Sequence, residues 1–556
     1  MVRLRHLELL GDIKLEQPLP GNSPSDQGAW SPLRQPVFRA LWIASVASNI
    51  GTSMQDVGGA WLMTSLAASP VMVALVQTAT SLPIFLLALP AGALADIVDR
   101  RRLLVAAQMW MLLNAFLLGL FTLTGITTPW LLVGLTFSLG LGGALTMPSW
   151  QAIIPEMVPR SQLVAAVTLG GVGFNLARAA GPAAGGLIIA AAGAGWVFIL
   201  NAASFLGVVV VLYRWQRPAS KSVLPAERMM GAMRSGLRYV RHSPALHAVL
   251  LRSGIFMVCG SALWALLPLL VRREMGFSVV GYGTLLGCLG AGAITGATVL
   301  PPVRRMLSAD PLVTGASLLF SAVLAALAVL RSFFPLCGVM FVGGMAWLAL
   351  LSSFNSVAQT AVPAWVRGRA LAFYLLVFFG GSAGGSILWG TVALHKGITS
   401  ALLYAAIVLS VGAAFSSRFR LAGRMEGELA PSLHWPVPAV IFEPHPDRGP
   451  VLVTVEYIID PAQSSDFTRE MHVLRTLRLR DGATNWWLFS DTIKTGRFLE
   501  CFLVESWIEH LRQHERFTKA DLEVENRVRV FHIGAEPPLV SHLLYEPEHP
   551  LGKKPG

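Results

Sequence analysis

The chain has 556 residues, 54% of them hydrophobic and 13% charged, with a mean hydropathy of +0.59. Soluble globular domains carry roughly 25% charged residues, so a wholly water-soluble enzyme or nucleic-acid-binding fold is excluded. The net charge of +12 falls largely in turns between apolar runs, a pattern of membrane orientation and not of nucleic-acid contact.

The first 36 residues are polar and carry Pro18, Pro20, Pro24, Pro32 and Pro36. No short apolar core with a cleavage site is visible, so residues 1–36 are expected to form a disordered cytoplasmic leader. A bilayer-crossing helix needs about 20 mostly apolar residues. Twelve such runs lie between Phe38 and Phe419. The first six are about Phe38–Leu66, Val71–Leu94, Leu103–Gly125, Pro129–Ser149, Leu163–Ala192 and Trp196–Leu212. After a polar break the second six run about Leu246–Val271, Gly281–Leu300, Pro311–Leu330, Pro335–Val357, Ala370–Leu394 and Ser400–Ser417. The expected architecture is an all-α polytopic membrane protein with two six-helix halves, residues 37–213 and 246–420. A basic linker, 214–245, joins them.

Arginine and lysine counts in the turns set the orientation. One side receives Arg100, Arg101, Arg102, Arg160, the central linker, Arg304, Arg305, Arg367, Arg369, Arg418 and Arg420; the other receives Arg272, Arg273, Arg331 and Lys396. The first side is therefore expected to be cytoplasmic, with both termini on it. The halves repeat at an offset that sets Arg100-Arg101 on Arg304-Arg305, Val158-Pro159 on Val362-Pro363 and Gly181 on Gly385. An even number of spans between copies makes the repeat parallel, with a binding cavity expected near the midplane.

The turn Gly92-Ala-Leu-Ala-Asp96-Ile-Val-Asp99-Arg100-Arg101-Arg102 sits between the second and third runs. A short charged turn there lies in water at a membrane face. Its glycine permits a tight helix end, and its aspartates and arginines are candidates for a gate of ion pairs. Ionisable groups inside spans are functional candidates by default. Asp56 in the first run and Arg178 in the fifth lie at similar depth, so both are candidates for coupling. Asn49, Gln55 and Asn175 are candidates for the cavity wall. Gly181-Pro182-Ala-Ala-Gly185-Gly186 places small residues at helical spacing for close helix approach.

Cys259, Cys288 and Cys337 lie in apolar runs and Cys501 in the polar tail, without paired spacing. They read as reduced and structural. After a linker, 421–449, residues 450–556 change character. Strand, helix, strand, strand, helix and strand patterns follow in order, an α+β ferredoxin-like arrangement. Ser506-Trp-Ile-Glu509 has the spacing of a capping box. His510 and His514 have metal-ligand spacing, but no third ligand stands out, so they read as helix-surface histidines. No metal, cofactor, phosphate loop or catalytic triad is visible, and no enzymatic activity is expected.

These features resemble the major facilitator superfamily. The Gly92–Arg102 stretch is similar to its loop signature, with Asp99 in place of the usual second glycine and Ile97 at an often basic position. Gly181-Pro182-x-x-Gly185-Gly186 resembles the fifth-span signature of its proton-driven antiporters. The enterobactin-exporter-like branch, the transmembrane secretion effector family, has runs similar to Ser48-Asn49-x-Gly51-x-x-Met54-Gln55, Gln151-Ala-x-x-Pro155-Glu156-x-Val158-Pro159-Arg160 and Phe174-Asn175-Leu176-Ala177-Arg178. Thr136 stands where the superfamily's exporters often carry an arginine, so the usual proton relay is not carried over. The tail around Trp507–Thr518 resembles dimeric α+β barrels related to antibiotic-biosynthesis monooxygenases. Those pair through their sheets, which implies a homodimer here.

The resemblance implies proton-coupled export of a small molecule, such as a siderophore, drug or metabolite, across a bacterial inner membrane. The expected partners are the lipid bilayer, the small-molecule substrate and protons. A proton symporter that imports its solute would share every fold feature, though the fifth-span glycine-proline run weighs against it. A membrane-anchored sensor acting through the tail is the reading from a different class.

Overall fold

The computed structural model describes residues 30–67, 69–215, 236–363, 365–421 and 447–546, with a few isolated positions between them. The leader up to residue 27, most of the central linker and most of the 421–449 linker lie outside the described residues.

Among the described residues, twelve long helices form the membrane part. The first half holds α1 (Pro36–Leu66), α2 (Pro70–Ile97), α3 (Arg100–Leu123), α4 (Pro129–Met157), α5 (Leu163–Ala192) and α6 (Ala194–Arg214). The second holds α7 (Pro244–Leu269), α8 (Val279–Met306), α9 (Ala309–Val329), α10 (Phe333–Thr360), α11 (Arg367–Lys396) and α12 (Ile398–Ser416). Eleven of them are long and apolar enough to cross a membrane. The twelfth, α1, carries Ser48, Asn49, Gln55 and Asp56 along its length, yet packs among the others as a full member of its half. Proline opens α1, α2, α4 and α7. At a first helical position its missing N–H costs nothing and its fixed φ suits the helix.

The parallel repeat is visible in matched breaks. Gly193 ends α5 at φ 92°, and Gly397 ends α11 at φ 85°. Only glycine adopts such angles without steric cost. Gly181 of α5 backs onto Ser53 and Ile50 of α1, and Gly385 of α11 backs onto Val258 and Ser261 of α7. A single fixed offset does not describe the repeat, however. Pro70 and Val279, or Arg100 and Ala309, lie farther apart in sequence than Leu163 and Arg367. Arg304-Arg305 therefore closes α8, whereas Arg100-Arg101 opens α3. The mismatch arises because α9 is shorter than α3 and the turn after it is shorter as well.

The halves meet along two seams. Helix α2 lies against α11, where Thr78 donates to the Ala383 carbonyl at 3.2 Å and Ser81 pairs with Ser382 at 3.2 Å. Helix α5 lies against α8, where Gly186 faces Val279 and Gly283, and Gly290 faces Arg178 and Ala179. Without Cβ atoms the backbones approach closely, which is how helices gain contact where lipid offers no hydrophobic drive. The seams run toward the end of the bundle remote from the arginine-rich turns. At that end Arg272 donates to Thr64 at 2.8 Å and lies over the Trp61 ring, and Arg273 donates to the Ala67 carbonyl at 3.1 Å.

The tail folds as β1 (Val451–Ile458), α13 (Ser464–Asp481), β2 (Ala483–Ser490), β3 (Arg497–Val504), α14 (Trp507–Arg516), α15 (Lys519–Arg529) and β4 (Leu539–Leu544). The sheet order is β2-β3-β1-β4, with every pair antiparallel. That is the ferredoxin-like topology, with its second helix broken in two. Phe517 turns extended, and Thr518 begins α15 with a complete capping box to Asp521. At Ser506 the box is half made. Its hydroxyl accepts from the Glu509 N–H at 3.4 Å, while the Glu509 carboxylate is engaged by Arg516 at 2.5 Å.

Tyr457, Phe467, Met471, Leu474 and Phe502 form the core between the sheet and its helices. Residues of the opposite sheet face remain open: Trp487 is 40% exposed, Phe489 54%, Leu539 66% and Leu543 54%. The tail docks on the second half and on the end of the central linker. Arg516 lies over the Trp365 ring at 4.5 Å, Arg480 over Tyr239 at 5.5 Å, and Arg238 donates to the Gly482 carbonyl at 2.9 Å.

Candidate functional site: a polar cavity between the halves

The membrane part is apolar, so the few polar groups in its interior define the site. A cavity is lined by Gln55, Asp56, Gln77, Thr80, Thr136 and Trp264, with smaller apolar residues between them. It draws on α1, α2, α3 and α4 of the first half and on α7 of the second. Asp56 is enclosed by the bundle yet accessible to water, as a group in a cavity wall must be. Its neighbour Gln55 accepts from Asn201 of α6 at 2.7 Å. That buried bond holds α1 against α6 and fixes the rotation of α1 that turns Asp56 into the cavity.

Arg178 comes from α5 and reaches across to the second half. Its guanidinium lies over the Trp347 ring of α10 at 5.9 Å and over Phe174 of its own helix at 5.8 Å. No hydrogen bond or ion pair engages either Asp56 or Arg178 among the described residues, although the two sense each other electrostatically. Trp347 in turn packs on Trp264, ring centroids 4.2 Å apart, and on Phe256 and Phe320. These aromatic residues carry no charge or motif signal, and their part in the site was invisible in the sequence.

The other expected site residues divide. Asn49 is half-buried on α1. Asn175 donates to the Gly171 carbonyl of its own helix at 2.9 Å, a local bond that satisfies its amide N–H. Gly181 and Gly185 pack on α1, while Gly186 and the Pro182 carbonyl meet α8. The motif thus serves one packing contact inside its half and one between halves.

In the charged turn, Asp99 caps α3 by accepting from the Arg102 N–H at 2.9 Å. This explains an aspartate where a glycine is usual, since the side chain satisfies a free helix-end donor. Arg100 pairs with Glu156 at the end of α4 at 3.1 Å. Arg101 donates to the carbonyls of Leu212 and Tyr213, at 2.8 and 2.6 Å, at the end of α6. The turn thereby staples three helix ends of the first half. The expected turn is shorter than the sequence suggests, because Gly92 and Asp96 lie within α2, which runs to Ile97, and the turn proper is Val98-Asp99; the side chain of Asp96 lies outside the described residues.

The tail holds buried charge of its own. Arg478 donates to Glu500 at 3.1 Å, and Glu500 also accepts from Trp486 at 2.9 Å. Arg480 bridges Asp481 and Asp521, at 2.7 and 2.6 Å. The histidine reading needs correction, because His510 is 1% exposed and not on the surface. Its ring lies 4.7 Å from that of His542 and 4.9 Å from that of His514. Burial pushes His510 down to about 3 and His514 to about 4, so both are neutral at neutral pH. Among the described residues no three His, Cys, Asp or Glu side chains converge on a metal position.

Two six-helix halves, parallel in repeat and meeting around a polar cavity, define a secondary transporter of the major facilitator type. The likeness to solved transporters agrees: a bacterial homologue of the human lysosomal transporter Spinster, inward-facing and unoccupied, superposes with a TM-score of 0.57 at 15% identity, over 72% of this chain and 98% of that one. The chain belongs to the transmembrane secretion effector family, whose profile matches residues 27–550. It is similar to the multidrug efflux pump Tap of Mycolicibacterium fortuitum, 26% identical over 70% of this chain and 97% of that one. It is also similar to the enterobactin exporter EntS of Escherichia coli O1:K1 / APEC, 27% identical over 66% and 88%. The staphyloferrin A transporter of Staphylococcus aureus is 24% identical over 59% and 82%.

Proposed function

We propose that the chain exports a small molecule across a bacterial inner membrane in exchange for protons, with the arginine-rich turns and both termini in the cytoplasm. The observation that carries this reading is Asp56, a carboxylate in the cavity wall that no hydrogen bond or ion pair engages among the described residues. Such a group takes up and releases a proton as access alternates, and it is costly to keep in a span without a task. The contacts joining the halves at the end remote from the arginines fit the inward-facing stage of the cycle. In the opposite stage the Asp96 to Arg102 turn acts as the inner gate. Its described bonds to the ends of α4 and α6 make that turn a rigid unit able to move with the first half. The names of the relatives favour export over import, as does the tight α5–α8 seam built on the glycine-proline run. The apolar outer face of the tail sheet supports a homodimer formed through paired sheets.

Inside-out vesicles with an imposed proton gradient test the reading. Dyes and siderophores are offered to wild type and to Asp56→Asn, and accumulation is followed with proton release. Gradient-driven accumulation in wild type, lost in Asp56→Asn, is expected. Accumulation that persists undiminished in Asp56→Asn removes proton coupling through this carboxylate. Uptake in right-side-out vesicles alone reverses the direction.

A further inference from the structure

Charge in the interior of the helices is scarce and balanced. Among the described residues of the membrane helices and away from helix ends, Asp56 and Arg178 are the acidic and basic side chains that no hydrogen bond or ion pair engages; Arg252, by contrast, is paired with Asp310 and donates to Thr314. The Arg178 guanidinium uses its flat faces on Phe174 and Trp347. Its edge donors, which make the paired bonds to carboxylates, are left for a ligand. Between the two charges runs an aromatic wall. Trp264 shares the cavity with Asp56, Trp347 shares a contact with Arg178, and the two indoles touch. The Trp347 Nε1 donor is buried and has no acceptor among the described residues.

We propose that the cargo is a small zwitterion with a flat apolar body, its cationic group on Asp56 and its anionic group on Arg178. The proposal rests on reading this cavity as the transport path. A singly charged ligand would satisfy one of these groups and be repelled by the other. A neutral ligand would displace water from both and compensate neither, which is unfavourable in a low-dielectric site. A zwitterion compensates each charge, and its flat body covers the indoles. Its ammonium group and the proton compete for the same carboxylate. Binding of one ammonium therefore releases one proton from the Asp56 carboxyl, and re-protonation displaces the ammonium.

Three probes with the same ring separate the charge classes: naphthylalanine, naphthylethylamine and naphthylpropionate. They are titrated calorimetrically into the purified full chain at neutral pH. Naphthylalanine is expected to bind at least about tenfold more tightly than either singly charged probe. Asp56→Asn moves the preference to naphthylpropionate, and Arg178→Gln moves it to naphthylethylamine. A merely structural role for either residue would weaken all three probes together. Asp56→Glu and Arg178→Lys keep the charges and the wild-type order, and they replace any variant whose elution profile departs from wild type. Equal affinities, tighter binding of a singly charged probe, or no binding by any of the three overturns the zwitterion assignment. The vesicle experiment is independent of it. Gradient-driven dye accumulation without a charge preference among the probes keeps the exporter and removes the zwitterion.

Discussion

The guanidinium of Arg178, on a helix of the first half, lies over the indole of Trp347, on a helix of the second, at 5.9 Å. One cationic side chain thus senses the relative position of the two halves at the level of the cavity. Alternating access moves those halves against each other, so this contact must change during the cycle. A partly desolvated cation–π contact contributes about 0.5–2 kcal/mol. That is small enough to be broken in each turnover and large enough to bias the equilibrium. Trp347→Leu keeps the volume largely apolar but removes the ring face. Its expected effect is a several-fold fall in gradient-driven transport together with a lowered melting temperature, because the smaller side chain also leaves space against Trp264, Phe256 and Phe320, read by vesicle uptake and by differential scanning fluorimetry.

The α5–α8 seam gives a conformational prediction. A Cβ at Gly290 would stand 2.7 Å from the Arg178 carbonyl oxygen and against the Ala179 backbone. Backbone cannot yield as a flexible side chain does, so Gly290→Leu should wedge the seam open. Spin labels at Ser69 and Ser278, in a cysteine-free background, report the separation of the halves at that end. The variant is expected to show a longer distance than wild type and slower transport. An unchanged distance would mean that α8 shifts to accommodate the side chain.

The charged turn makes a prediction about partly exposed ion pairs. Arg100 and Glu156 are 31% and 19% exposed in their side chains. Pairs of this kind contribute up to about 1 kcal/mol to stability. Glu156→Gln should leave the melting temperature within a few degrees of wild type and yet lower transport, because the pair joins helix ends that move together. The charge-reversed pair Arg100→Glu with Glu156→Arg tests whether the contact itself matters, with partial recovery of transport expected.

In the tail, Glu500 is 0% exposed and serves Arg478, Trp486 and Tyr457 together. Removing Glu500 leaves Arg478 its longer pairing with Glu525, at 3.7 Å, and breaking a buried ion pair costs about 3–5 kcal/mol. Glu500→Ala should therefore unfold the tail selectively. Hydrogen exchange over residues 450–546 of the full chain is expected to accelerate while the membrane helices keep their protection.

The histidine cluster predicts the pH dependence of the tail. His510 and His514 are depressed in the folded state, to about 3 and about 4, from an ordinary value of 6.5, by burial first and by neighbouring histidines next. The unfolded chain then binds more protons across that window, so stability rises with pH through it and is lost as pH falls below 6.5. Asp481 works in the opposite sense, since burial raises its carboxyl to about 6 and its contribution is lost as pH rises through that value. The two histidines outweigh it. Tail protection is expected to fall between pH 6.5 and 4, and His510→Leu is expected to flatten that fall.

Much was legible in the sequence because membranes and strands impose simple periods. Apolar runs of spanning length between polar turns located each of the described membrane helices to within a few residues of most of its bounds. The alternation in Val451–Ile458 and the apolar stripe Phe467, Met471, Leu474 placed β1 and α13. Asp56 and Arg178 announced themselves by charge in an apolar setting. Local rules misled where a side chain had a distant partner. Glu509 left the Ser506 box for Arg516, from which it is separated by two turns of helix. His510 turned inward because β4 brings His542 against it from far along the chain.

Composition and periodicity by themselves determined that this is a twelve-helix membrane protein with a ferredoxin-like tail, because both depend on near neighbours in sequence and on what each residue does in lipid or water. Only the tertiary structure decided which polar groups share a cavity. Gln55 went to Asn201, Asn175 to its own helix, and Arg178 to Trp347. It also decided that two tryptophans, Trp264 and Trp347, connect the two charges, and that the tail rests on Trp365 and Tyr239. Those choices depend on the rotation of each helix about its axis and on which helices meet across the seams. Both are set by packing among residues far apart in the chain.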